Sequence, residues 1–117
     1  MKIETLVLRT AALADIPVLV RHRRWMFEDI ARLRGQTMAT AQYDAMDVAY
    51  NRYLHRHLGA NLMAWVIDVD GEVVSSGSVV VFDQLPSYRN PSGRTPYLHS
   101  VYTVPSARRQ GWARRIV

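Results

Sequence analysis

Two runs rich in β-forming residues, Leu62 to Val69 and Glu72 to Phe82, are separated only by Asp70-Gly71. Asp-Gly supplies the two positive-φ residues of a tight turn whose twist matches antiparallel strands, so this stretch predicts a hairpin. A hairpin alone is marginal in water, and the rest of the chain has to cover it. The return strand is interrupted at Ser75-Ser76-Gly77-Ser78, where Gly77 marks a bulge or a close backbone approach.

The remaining segments supply that cover. Ile3 to Arg9 reads as a first strand. A helix follows from about Asp15, with Pro17 tolerated in its first turn and an apolar stripe of Ile16, Leu19, Val20, Phe27 and Ile30. Gly35 stops it. Residues 38–58 predict a second helix, with Met46, Ala49, Tyr50, Tyr53, Leu54 and Leu58 on its apolar side, closed by Gly59. Pro86, Asn90-Pro91, Gly93 and Pro96 mark a loop over 86–96. A strand then runs from Tyr97 to Val104, Pro105 ends it, and Gly111 to Val117 reads as the start of a helix. The order is β-α-α-β-β-β-α, an α/β (α+β) class in which strands join one sheet with helices against it. The 117 residues suit one domain. A last helix of barely two turns needs docking, and the organisation is that of the front part of a larger domain, residues 1–117 forming a partial one.

Composition narrows the partners. Fifteen Lys and Arg face 10 Asp and Glu, a net charge of +5, and all the cations but Lys2 are arginines. That balance favours anionic ligands, since arginine presents a planar fork to phosphate oxygens. Without cysteine there is no disulfide, thiolate metal site or cysteine nucleophile. No apolar run reaches the length of a membrane span, and Met1-Lys2-Ile3-Glu4 is not a secretory leader, so a cytoplasmic protein without membrane partner is expected. Nucleic acid ranks last among partners, because aromatic RNA-binding strands and a helix-turn-helix pattern are both missing.

Chemistry concentrates in Val101-Tyr102-Thr103-Val104-Pro105-Ser106-Ala107-Arg108-Arg109-Gln110-Gly111-Trp112-Ala113. Here a strand feeds a turn that feeds a helix. The first amides of a helix have no intrahelical partners and share the positive end of its dipole, which makes an anion site. Gly111 and the small Ala113 allow a diphosphate to approach, and Arg108 and Arg109 add positive charge.

With its flanking strand and Pro105, the pattern Arg108-x-x-Gly111-x-Ala113 resembles the GNAT superfamily of acyl-CoA N-acyltransferases. Leu8-Arg9-Thr10-Ala11 with Asp15-Ile16 resembles that family's first strand and helix, and Arg23 to Phe27 and Asn90 to Arg94 resemble a bacterial branch of small members. The resemblance extends over essentially the whole chain. It implies a GNAT-like mixed, mainly antiparallel sheet flanked by helices, with C-terminal strands still to come. It also implies transfer of an acetyl group from acetyl-CoA (CoA) to a primary amine, with Val101 and Thr103 meeting pantetheine along their backbone. Arg108, Arg109, Gln110, Gly111, Trp112 and Ala113 would hold pyrophosphate. A non-catalytic CoA-binding or structural dimer of a truncated fold is the alternative, because an uncovered last strand seeks a partner; a homodimer is expected.

Strand alternation places Tyr97 and His99 on the face of Val101 and Thr103, and Tyr102 on the opposite face. His99, a position where some members related to serotonin N-acetyltransferase carry a histidine, is the candidate catalytic base; a half-buried structural histidine is the competing reading. Glu28 and Asp29 either attract a cationic amine or form a solvated helix face. Arg108 and Arg109 either bind phosphate or pack their stems on the sheet. His22, His55 and His57 make no metal set. Trp25, Trp65 and Trp112 read as packing anchors.

Overall fold

In a computed structural model that describes residues 5–111 together with Arg114 and Ile116, strand β1 (Leu6–Thr10) is followed by helix α1 (Ile16–Leu33) and helix α2 (Thr40–His57). Strands β2 (Leu62–Val69), β3 (Glu72–Asp83) and β4 (Arg94–Thr103) come next. They form one antiparallel sheet in the order β1-β2-β3-β4. The expected first strand begins at Ile3, and its first two residues fall outside the described ones.

Local chemistry sets most boundaries. Asp15 precedes α1, where its carboxylate accepts the Ala12 amide at 2.8 Å and two N–H groups of Arg9 at 2.7 and 2.9 Å. The same bonds clamp β1 to the helix start, and the Arg9 guanidinium holds the Asp15 carboxyl below its ordinary range. At the far end Gly35 takes φ +65°, and the Gln36 amide donates to the Ala31 carbonyl at 2.8 Å, a six-to-one closure. Helix α2 starts two residues later than its sequence pattern predicts, because the Gln42 side chain accepts the Ala39 amide at 3.1 Å and sets the start there. Asp70 and Gly71 both have positive φ, 53° and 85°, as the hairpin requires.

Both helices lie on one face of the sheet. Ile16, Leu19 and Leu54 meet Ala11, Leu62, Ala64 and Val66 in the core. Strand β3 is continuous, which corrects the expected interruption at Ser75 to Ser78. The three serines are buried in the centre of the sheet, and each hydroxyl has a partner: Tyr102 carbonyl for Ser75, His22 Nδ1 for Ser76, His99 carbonyl for Ser78. Satisfied hydroxyls can be buried where bare ones cannot. On the face away from the helices, which Gly77 shares with Ser75, the glycine lets Ile116 approach: a Cβ on Gly77 would lie 2.8 Å from Ile116 Cγ2. Arg114 and Ile116 are helical, as the reading of 111–117 anticipates for those two positions.

Strand β4 starts at Arg94, inside the expected loop. Gly93, at φ +71°, folds against the end of β3, and the Gln84 amide donates to its carbonyl at 2.7 Å. Pairing with β3 from Asp83 onward overrides Pro96 as punctuation, since it sits on a strand that is at the sheet edge among the described residues, where a missing donor is tolerated.

Candidate active site

The pairing of β3 with β4 slips once. Ser76 faces Tyr102 and Ser78 faces His99, so Ser100 and Val101 together stand opposite Gly77. Ser100 absorbs the extra residue at φ +57°. This bulge corrects the expected alternation. Directly paired residues share a face, so His99 and Tyr102 point with Ser76 and Ser78 toward the helices, while Val101 and Thr103 point the other way with Gly77 and Ser75. Tyr97, opposite Val80, stays with His99, their rings 4.5 Å apart.

The helix-side face holds a cavity of about 340 Å³ between α1, α2 and the bulge. Met46, Ala49, Tyr53, Leu62 and Val80 give it apolar walls, and Arg23, Tyr50, Ser78, His99 and Ser100 bring polar groups to it. Arg23 lies 5.0 Å from the Tyr50 ring centre and 5.1 Å from that of Phe27, and it donates to the Ser100 hydroxyl. Burial, and then the charge of Arg23, lower the pKa of His99, keeping its imidazole neutral around neutrality. Burial raises the Tyr50 phenol against the opposing pull of Arg23 and the two serine hydroxyls, so it stays protonated.

After β4 the chain turns through Pro105–Ala107. The Val104 amide donates to the Val74 carbonyl, which turns the amide and carbonyl of Thr103 to the free edge of the sheet. Arg109 and Gly111 both take left-handed φ, 67° and 79°. Among the described residues the amides of Arg109, Gln110 and Gly111 have no hydrogen-bond partner, whereas those of Ala107 and Arg108 donate to Val104 and Pro105 carbonyls. Consecutive unpaired amides in a turn of alternating handedness form a concave anion cradle. Gly111 leaves open space where a Cβ would stand, so its glycine answers the backbone conformation rather than a neighbour. Trp112 and Ala113 lie outside the described residues.

Arg108 points elsewhere than a phosphate role requires. Its guanidinium pairs with Asp29 at 2.6 Å, donates to the Thr103 carbonyl at 2.9 Å and covers the Tyr102 ring at 5.4 Å. Asp29 also holds Arg32, and its carboxyl is lowered chiefly by Arg108. Glu28 lies 3.9 Å from Arg24. Neither carboxylate lines the cavity. The other histidines scatter: His22 is buried with Ser76, His57 stacks on Tyr53 at 4.3 Å, and His55 is exposed. No group of three metal-binding side chains occurs among the described residues. Trp25 packs against His22 and Tyr102.

Sequence reasoning singled out His99 and the turn, though with His99 on the face of Val101, and it missed Arg23, Tyr50, Ser78 and Ser100 as cavity residues. The four-residue step from Arg23 to Phe27 is visible along the helix. Nothing local connects either to Ser100, which only the bulge delivers.

No helix among the described residues is long and apolar enough to cross a membrane. The model of the acetyltransferase (GNAT) family matches residues 22–117. No curated protein matches. Among solved structures, a predicted acetyltransferase with acetyl-CoA from Clostridium acetobutylicum is 25% identical, with a TM-score of 0.80 over 95% of this chain and 68% of that one. A GCN5-related N-acetyltransferase from Ralstonia eutropha is 20% identical, with a TM-score of 0.81 over 96% of this chain and 71% of that one. The chain belongs to the acetyltransferase (GNAT) family, whose activity is the transfer of an acetyl group from acetyl-CoA to an amine.

Proposed function

We propose that this chain holds acetyl-CoA along the free edge of β4 and in the turn that follows it, and acetylates a primary amine seated in the cavity beside His99. The carrying observation is the run of unpaired amides at Arg109, Gln110 and Gly111, directly after a strand whose outer edge has no strand partner among the described residues. A pyrophosphate matches those donors. The outward amide of Thr103 and the backbone at Val101 suit the amide groups of pantetheine. Arg108 is a positioning residue in this reading, bracing the turn against α1 and β4.

Acetyl-CoA supplies the acetyl group as a thioester, whose C–S bond breaks as the N–C bond forms. The protein's part is to present a neutral amine and to manage its protons. His99 faces the cavity with its imidazole held neutral, so it can accept a proton from the amine. Overall the ammonium loses two protons, one of which ends on the departing sulfur.

The test is a calorimetric titration of the full chain with acetyl-CoA, alongside Gly111→Val. Saturable binding that falls at least about tenfold in the variant, the loss of roughly one good charge-assisted hydrogen bond, is expected. No binding at millimolar acetyl-CoA overturns the reading.

A further inference from the structure

Arg23 has no carboxylate partner among the described residues, unlike Arg24 and Arg32 on the same helix, and unlike the exposed Arg21 it is half-buried. Arg24 holds Asp44, Asp47 and Glu28, while Arg32 and Arg108 share Asp29. Those are all four carboxylates that α1 and α2 carry. Arg23 is half-buried, sandwiched by the Tyr50 and Phe27 rings, and lines the cavity. A guanidinium has five N–H donors in a fixed plane, and only one bond, to Ser100, is accounted for. A partly desolvated cation held in place without a counter-ion is a site for one, and a planar fork selects a carboxylate or phosphate.

The other walls restrict what can carry that anion. Met46, Ala49, Leu62 and Val80 are apolar, and about 340 Å³ accommodates a small molecule. No Asp or Glu among the described residues lines the cavity. A second ammonium on the acceptor would therefore meet only the like charge of Arg23. Ser100, which receives the Arg23 bond, is adjacent in sequence to His99. The anion and the proton-accepting imidazole thus face one small cavity, which can take an amine and a carboxylate carried by the same small molecule.

We infer that the acceptor is an apolar or aromatic α-amino acid, its carboxylate on the Arg23 fork, its side chain against Met46, Leu62 and Val80, and its amine toward His99. The inference rests on the cavity being the acceptor pocket of the transfer proposed above. The step it specifies joins the α-nitrogen to the acetyl carbon and breaks the thioester C–S bond. Its products are the N-acetyl amino acid and the CoA thiol, with one proton released to solvent.

Two measurements on the full chain separate this inference from the reading beneath it. In the first, CoA release at saturating acetyl-CoA is followed with phenylalanine, phenethylamine and spermidine. Phenylalanine is expected to exceed phenethylamine at least about tenfold in kcat/KM, the effect of one charge-assisted bidentate contact. Arg23→Gln is expected to erase that preference through KM, and Arg23→Lys, which keeps the charge but not the fork, to retain part of it. In the second, N-acetylphenylalanine is titrated by calorimetry without acetyl-CoA, and its binding is expected to disappear in Arg23→Gln. Equal or better use of phenethylamine or spermidine overturns the inference and leaves acetyl transfer intact. Arg23-dependent binding of N-acetylphenylalanine without any acetyl-CoA binding overturns the transfer reading and keeps the carboxylate site. If wild type binds no N-acetylphenylalanine and shows no preference for phenylalanine, the carboxylate site is wrong. Circular dichroism verifies that each variant is folded, and Arg23→Lys carries the test if Arg23→Gln is not.

Discussion

Two histidines in this protein are kept neutral for different ends. His99 borders the cavity, and both burial and Arg23 depress its pKa. It is free base through neutrality, and the rate should fall only as pH drops through a value below 6.5. His99→Gln is expected to lower kcat about a hundredfold or more and to remove that acidic limb from the pH–rate profile. An unchanged profile would assign the proton transfer elsewhere. His22 is 1% exposed, with Nδ1 on Ser76 and Nε2 without a partner, and burial lowers its pKa from 6.5 to about 4. Above pH 6.5 the imidazole is neutral in folded and unfolded chains alike, so it adds no pH dependence there. Between 6.5 and about 4 only the unfolded chain takes up the proton, and stability falls as pH falls. The loss should be on the order of 3 kcal/mol, read as the difference in urea stability between pH 7 and pH 4, and smaller in His22→Gln. Asp15 acts in a separate window: its lowered carboxyl stabilises the fold above 3.8, and that contribution disappears as pH falls through its folded value.

Strand β4 is the element on which the site turns, because its bulge lets one strand serve two faces. Without the extra residue at Ser100, His99 and Val101 would share one face, and the strand could not turn one to the cavity and the other away from it. The strand's two ends are secured differently. At its start Gly93 needs both its left-handed φ and its missing side chain, since a Cβ would fall 2.3 Å from the Gln84 carbonyl oxygen. Gly93→Ala is expected to cost about 2 kcal/mol or more, measured by chemical unfolding; a change below about 0.5 kcal/mol would mean that the loop relaxes freely. At its end Arg108 binds the turn to α1 through Asp29 and to β4 through the Thr103 carbonyl. The pair is partly solvent-accessible, so Arg108→Met should lower stability by no more than about 1 kcal/mol. Acetyl-CoA affinity should fall several-fold in the same variant, because the amides at 109–111 lose their brace. Unaltered affinity would make Arg108 a surface charge only.

At the scale of the molecule, the sheet is covered by α1 and α2 on one face, while the outer edge of β4 is unpaired among the described residues and exposes Tyr97 and Leu98 nearby. Free strand edges pair readily. A homodimer is the expected state, and light scattering that gives a stable monomer would refute it. Much of this architecture was legible in the chain. The Asp70-Gly71 hairpin, the span of β2, Pro17 in the first turn of α1 and Gly35 after its end all followed from local backbone rules, because φ preferences and turn chemistry operate over a few residues. The Arg108-to-Ala113 pattern likewise identified a turn, since glycine at a left-handed position is a local demand. Other features lay beyond sequence. Ser75 to Ser78 read as a break because hydroxyls look unfit for a core until their partners on α1 and β4 are known. His99 was assigned to the wrong face because alternation has no term for a bulge that depends on the neighbouring strand. Arg108 looked like a phosphate ligand because Asp29 stands 79 residues away in the chain yet 2.6 Å away in space. The sequence determined which segments are strands, helices and turns, since those follow from short-range sterics and periodicity. Tertiary structure alone decided which charges neutralise each other, and so left Arg23 uncompensated beside the cavity, because ion pairing depends on distance in space rather than along the chain.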